Sequence, residues 1–275
     1  MFHIAFIFVV GANHLVASQG LENANDYQKN SSLQWKWAME SLEHLTFNTT
    51  DKVLDLGSGS GSITAIVAAK VPEGIVIGLD ISESMLEYAT NNYSAANIIY
   101  MKGDIRSLPF KEQFDKAIAF LSLNWVKEQE LALNSIYAAL KHGGEAIITR
   151  PGKKPSNLGP IAQYLVNTDR WKSHFPNFVQ TKDYYSAEEY GMLLSNTGFM
   201  IKNLSEEQTY THFKDREALK GFFRPLCNFM DHLSKDLQDL FVEEIVDEVL
   251  RFDVTSFDGS IFLSDLKLEA IVTKP

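Results

Sequence analysis

Cysteine is almost absent from this chain. Cys227 is the single thiol in 275 residues, so no disulfide can form within the chain and no Cys-rich zinc site can be built. The seven histidines show no H-E-x-x-H spacing, and no metal is expected. Basic residues are the minority: 25 Lys and Arg against 35 Asp and Glu leave a formal charge of −10. Tracking a phosphate backbone needs clustered cations, so nucleic acid is not expected as the main partner. A long apolar run is missing as well. Phe2 to Val10 is nearly all apolar, but a bilayer span takes roughly 20 such residues, so no stable membrane span is expected. No Lys or Arg precedes that run, although Val16-Ala17-Ser18 has the look of a signal-peptidase site. Residues 1–21 are therefore an apolar N-terminal arm or a possible signal segment. The expected location is the cytoplasm, or outside the cell if residues 1–18 are a cleaved signal. Internal repeats, low-complexity tracts and long like-charge runs are also lacking.

What remains is ordinary globular composition, 45% hydrophobic and 22% charged. Val53 to Leu56, Gly74 to Leu79, Ile98 to Met101, Ala117 to Leu121 and Glu145 to Thr149 are short, continuous apolar runs. Between them lie helical stretches at Ser62 to Lys70, Ser82 to Asn91 and Gln129 to Leu140, after an earlier one at Leu33 to Leu45. Continuous rather than alternating apolar strands, interleaved with helices, indicate a parallel sheet covered on both faces. After Pro151 the pattern changes. Prolines and aromatics to about residue 180 read as loops and short helices, Ala187 to Asn196 as a helix, and Lys214 to Arg251 as one long acid-rich helical stretch. Ile261 to Thr273 reads as one or two closing strands. The expected division is an α/β cofactor-binding core over residues 22–150, followed by a helical cap over 151–275 interleaved with the last strands.

The strongest motif is Asp55-Leu56-Gly57-Ser58-Gly59-Ser60-Gly61, where the first strand turns into a helix. Glycines there let backbone approach a ligand, and the helix start presents free N–H groups. A dinucleotide fingerprint, G-x-G-x-x-G, would need glycine at position 62, which is Ser62. The G-x-G-x-G spacing with Asp55 ahead of it suits a cationic group better than a pyrophosphate. Asp80 ends the second strand, where a carboxylate can accept from both hydroxyls of a ribose. Asp104 follows the third strand. Three acids at three successive strand ends line the crevice where α/β sheets bind ligands.

These residues resemble the class I S-adenosylmethionine-dependent methyltransferases. The resemblance implies a Rossmann-like, doubly wound sheet of seven mostly parallel strands, the last antiparallel, with a helical cap in the C-terminal half. It also implies S-adenosyl-L-methionine as cofactor. Gly57, Gly59 and Gly61 would wrap its methionine portion with Asp55 beside them, and Asp80 would hold the ribose. Asp104 would bond the adenine amino group, with Ile81 and Ile105 flanking the ring. Within the class the resemblance is to small-molecule carboxyl methyltransferases, the trans-aconitate and juvenile hormone acid enzymes. It is carried by Tyr27 to Gln34, by Leu123-Asn124-Trp125-Val126, and by Trp171, Phe175, Phe178 and Tyr185 to Tyr190. Such enzymes usually have His or Gln where this chain has Asn124.

The acceptor side follows from these stretches. Trp125, just past a strand end, can wall the reacting methyl, while Gln28 and Asn124 can orient acceptor or cofactor. Arg150, Arg170, Arg216, Arg224 and Arg251 are candidates for gripping a carboxylate. The expected partner is a small organic acid. A carboxylate is ionised at pH 7 and needs no general base, so its methylation should be nearly flat between about pH 6 and 9. A phenol or amine acceptor would want a base that the sequence does not reveal. A nicotinamide oxidoreductase and a non-catalytic cofactor binder are the rival classes. The oligomeric state is not legible.

Overall fold

The five apolar runs of the first half form the parallel part of one sheet. A computed structural model of the chain describes residues 32–275 except 155–156, 179–181, 253 and 256–257. The N-terminal arm of residues 1–21, the candidate Gln28 and most of the Tyr27–Gln34 stretch lie outside the described residues. The strands are β1 (Lys52–Leu56), β2 (Ile75–Asp80), β3 (Ile98–Lys102), β4 (Phe114–Phe120), β5 (Leu140–Pro151), β6 (Met200–Phe213), the two-residue β7 (Val254–Thr255) and β8 (Ile261–Thr273). Their order is β3-β2-β1-β4-β5-β8-β6, with β7 paired to the start of β8. β1 to β5 are parallel, and β8 runs antiparallel between β5 and β6.

Side chains alternate across a strand, and here each face meets its own core. Leu54, Leu56, Ala117, Ala119, Ala146 and Ile148 pack into one layer, and Val53, Val76, Ile118 and Ile147 into the other. Both faces are buried, which is why the strands read as unbroken apolar runs. The helices are α1 (Ser32–Leu42), α2 (Ser62–Lys70), α3 (Glu83–Asn92), α4 (Gln129–Ala139), α5 (Leu158–Val166), α6 (Ala187–Thr197), α7 (Arg216–Phe223) and α8 (Lys235–Val249). Ser82 caps α3 through Met85 N–H, and Asp215 caps α7 through Ala218 N–H at 2.8 Å. Ser186 and Glu189 form a reciprocal capping box on α6, which Gly198 ends.

Three expectations are corrected. The stretch from Lys214 to Arg251 is not one helix. Pro225 lacks an N–H to continue the ladder, and two 3₁₀ turns, Arg224–Leu226 and Asn228–Met230, separate α7 from α8. The fifth strand starts at Leu140, five residues earlier than read, and the helix before it ends at Ala139. β6 was not read as a strand at all. It is a sheet edge, and most of its side chains face solvent, so it lacks the apolar run that marked the others.

A third core lies on top of this sheet. α5, α7 and α8 close around Trp171, Phe175 and Phe241, with Leu33 and Trp37 of α1 and Phe213, Ile261 and Leu263 of the outer strands. Trp171 meets Phe241 edge-on at 4.8 Å and donates its Nε1–H to Glu244 at 2.6 Å. The aromatic stretch from Trp171 to Phe178 is thus the filling of the cap. Among the described residues, no helix is long and apolar enough to cross a membrane.

Candidate functional site

β1 and β4 are neighbours, while β2 and β5 lead away on opposite sides. The chain reverses direction of travel across the sheet there, the place where open α/β sheets carry a ligand crevice beyond the strand ends. The glycine loop fills its floor. Gly57 and Ser58 donate their N–H groups to the Leu79 carbonyl at 2.7 and 3.0 Å, which stitches the loop to β2. Gly57 has φ 76°, and a Cβ on it would lie 2.3 Å from Ser122 Cβ. Gly59, at φ 52°, is different: a Cβ there would meet nothing within 4 Å. Gly57 is needed for close backbone packing, and Gly59 borders open space.

Asp80 ties the loop to the second strand end. Its Oδ2 accepts from Gly59 N–H at 2.8 Å and its Oδ1 from Ser82 N–H at 2.8 Å. Burial raises its pKa, against the pull of these donors. Asp55 is buried behind the loop, where Thr64 Oγ1 donates to its Oδ2 at 2.6 Å. Burial pushes its pKa up to about 7, with Asp80 adding to the rise and Thr64 opposing it. A cation brought beside this carboxyl would favour its ionised form. Asp104 stands beyond β3 as expected, but its carboxylate is held by Arg106 through Nε at 2.9 Å and Nη2 at 2.6 Å. Arg106 in turn reaches Glu128 at 2.8 Å. The arginine keeps the Asp104 carboxyl below its ordinary pKa. Ile105, buried, follows it, and half-buried Ile81 flanks the same crevice.

The residues present suit a cofactor that carries an ammonium, a ribose and an amino-bearing ring. Ser58 Oγ and Ser122 Oγ are buried beside the crevice with no hydrogen-bond partner among the described residues. With the open space at Gly59 and the acids at three strand ends, they offer polar contacts and room together.

The acceptor side begins at Leu121. This residue takes φ 53°, unusual for a bulky side chain and a strain that clusters at functional sites. Its N–H still bonds Thr149 O at 2.8 Å. The chain then leaves β4 and forms the 3₁₀ turn Leu123–Trp125. Asn124 is buried, with Oδ1 lacking a partner among the described residues. Asn124 and Trp125 line a cavity of ≈ 80 Å³ under the cap, with Leu121, Lys182, Tyr184 and Asp265 among its other walls. The structure therefore brings Asn124 and Trp125 together at one cavity.

None of the five candidate arginines lines that cavity. Arg150 is fully buried between the rings of Tyr185 and Tyr190, 4.8 and 4.7 Å from their centres. It donates to Gln129 Oε1 at 2.8 Å and to Asp183 O at 2.5 Å. Arg170 pairs with Glu244, Arg216 with Glu243 and Asp247, Arg224 with Asp239, and Arg251 with Glu248. Among the described residues, the cation that lines the cavity is Lys182, which sequence reasoning passed over. It stands in an irregular stretch with neither motif nor period to single it out.

A family model described as a methyltransferase domain matches residues 48–243. A protein of Invertebrate iridescent virus 6 that carries a methyltransferase name is 26% identical over 242 residues, covering 88% of each chain. A juvenile hormone acid O-methyltransferase of Bombyx mori is 27% identical over 247 residues, covering 83% of this chain and 86% of its own. Among solved structures, a protein of Bacillus halodurans described as a methyltransferase superposes with a TM-score of 0.60 at 15% identity, over 86% of this chain and 98% of its own.

Proposed function

Since the chain belongs to the methyltransferase-domain family and is an S-adenosylmethionine-dependent methyltransferase, we propose that its acceptor is a small-molecule carboxylate, converted to a methyl ester. The observation that carries this reading is the cavity at the end of β4, where Asn124 and Trp125 form one wall and a buried ammonium another. That ammonium would draw an anion, against the Asp265 carboxylate in the same cavity. The silkworm relative is named for O-methylation of an acid, which supports the same reading.

S-adenosylmethionine, when bound, supplies a methyl group made electrophilic by its sulfonium. The protein's own tasks are to hold both partners in line and to exclude water. Gly57, Gly59 and Gly61 would cradle the methionine portion, and Asp55 would take the ammonium. Asp80 would accept from the ribose hydroxyls. Asp104, its orientation fixed by Arg106, would accept from the adenine amino group, with Ile81 and Ile105 beside the ring. Trp125 walls the path of the methyl, and Asn124 and Gln28 orient the acceptor. No residue has to remove a proton, because a carboxylate is already ionised at neutral pH. On this reading the enzyme works in the cytoplasm on a small organic acid, with no nucleic acid partner.

The test is product chemistry. With a radiolabelled methyl donor and a screen of small acids, the product should release labelled methanol in mild base. A base-stable product, as from a phenol or an amine, would overturn the carboxylate reading and leave the methyltransferase class in place.

A further inference from the structure

We infer that Lys182 is the cation that receives the acceptor's carboxylate, so that this protein recognises the acid's charge with a lysine set against the tryptophan wall and not with an arginine of the cap. The inference rests on the carboxylate reading above. Lys182 is buried, and its Nζ stands 4.1 Å from the centre of the Trp125 ring and 3.4 Å from the Leu226 carbonyl oxygen. Its side chain lines the cavity beside Asn124 and also a smaller one of ≈ 20 Å³ walled by Leu158, Ala162, Phe178 and Phe229. The ammonium thus sits where the polar wall of the first cavity gives way to an apolar one. On the proposed reading Trp125 walls the path of the methyl, so an anion drawn to Lys182 is drawn to the same wall.

The electrostatics agree. Burying an ammonium disfavours its charged form, and Lys182 is pushed down to about 8 by burial. Among the described residues, the titratable groups around it include the Cys227 thiol, pushed up to about 12 and so neutral, the Tyr184 phenol, raised by burial, and Asp265 of β8 in the same cavity. A carboxylate brought against the ammonium stabilises its charge, and that binding is lost as the lysine deprotonates. The flat pH profile expected from the carboxylate alone then holds only for kcat. KM should rise above pH 8, by about tenfold per pH unit once the neutral lysine dominates.

The experiment uses the full chain with S-adenosylmethionine and straight-chain acids from hexanoate to dodecanoate. Wild type should form methyl esters. Lys182→Met should raise KM for the acid at pH 7 by at least about tenfold, a loss of the size expected for a charge-assisted hydrogen bond, with S-adenosylhomocysteine affinity and melting temperature kept. Lys182→Arg should recover much of the loss. Ester formation by Lys182→Met with unchanged KM overturns the assignment, and so does a wild-type KM that stays flat through pH 9, a measurement that needs no variant. A kcat that rises through pH 8 would make Lys182 a general base and overturn it too. Failure of wild type to esterify any acid strikes the carboxylate reading itself, an outcome visible before any variant is made.

Discussion

Replacing Gly57 by alanine separates architecture from binding in the glycine loop. Two penalties follow from its geometry. The residue sits at φ 76°, and a left-handed conformation costs an L-residue about 1–2 kcal/mol. The new methyl would lie 2.3 Å from Ser122 Cβ, and forcing an extra carbon into packed structure costs about 1–3 kcal/mol. Together they amount to roughly 2–5 kcal/mol, at about 2–4 °C of melting temperature per kcal/mol for a chain of this order. The two parts can be measured apart. Ser122→Gly removes the atoms that the methyl would strike and leaves φ untouched. The double variant Gly57→Ala, Ser122→Gly should therefore recover about 1–3 kcal/mol relative to the sum of the single changes. Gly59→Ala supplies the contrast. With nothing within 4 Å of its Cβ position, it should lose only the conformational part, about 1–2 kcal/mol, yet weaken cofactor binding because the methyl intrudes into the crevice. Chemical denaturation gives the stabilities, and calorimetry with S-adenosylhomocysteine gives the affinities. Strict additivity of Gly57→Ala and Ser122→Gly would refute the packing argument.

Further outcomes follow from the same geometry. Asp80→Ala should weaken S-adenosylhomocysteine binding by about 1–3 kcal/mol, the worth of hydrogen bonds to a charged group; unchanged affinity in calorimetry would remove Asp80 from the ribose role, and NAD should not bind to either protein. Asp55, at about 7, is largely protonated at pH 6, and an ammonium brought beside it favours the ionised form. S-adenosylhomocysteine binding should therefore release a proton at pH 6 and almost none at pH 8.5, where the carboxyl is already ionised. Calorimetry in buffers of different ionisation enthalpy reads that proton, and Asp55→Asn should abolish it. Trp125→Ala should lower kcat by about 100-fold, the order expected for lost alignment, while leaving cofactor affinity within a few-fold; equal losses in both would make Trp125 a cofactor contact.

The cofactor half was legible because its physics is local. Strands buried on both faces must be apolar throughout, as Val53-Leu54 and Ile147-Ile148 are, and a backbone that doubles back under a ligand needs glycines at fixed positions. β6 was not legible because an edge strand hides too few side chains. Lys202, Asn203, Glu206 and Glu207 are exposed there and leave no apolar run to read. The cap arginines misled for the opposite reason. Their partners sit on other segments, as Glu244 does for Arg170 and the rings of Tyr185 and Tyr190 do for Arg150. A sequence shows an arginine but not the contact that already occupies it. Lys182 shows the limit most clearly, since its significance lies in the Trp125 ring above it and the cavity it lines, both of which depend on tertiary packing.

The two ligands meet different cores, and that decides what each can tolerate. The crevice of the glycine loop is bounded by the two layers that cover the sheet, and its shape is fixed by strand register. The acceptor cavity is walled partly by the cap, through Leu158 of α5, Phe222 and Phe223 of α7 and Leu226 after it, and partly by Trp37 of α1, Pro151 of β5 and Leu263 and Asp265 of β8. Among the described residues, the segment from Leu121 to Trp125 links that cavity to the glycine loop, on which Ser122 packs. Leu123 is packed in the sheet's core, while Leu121 lies against the core of the cap. Substitutions in α5 or α7 can therefore reshape the acceptor cavity without disturbing the loop that holds the cofactor. A change at Leu121 or Ser122 is felt by both, because a residue held at positive φ and a neighbour packed on Gly57 leave the backbone there no slack.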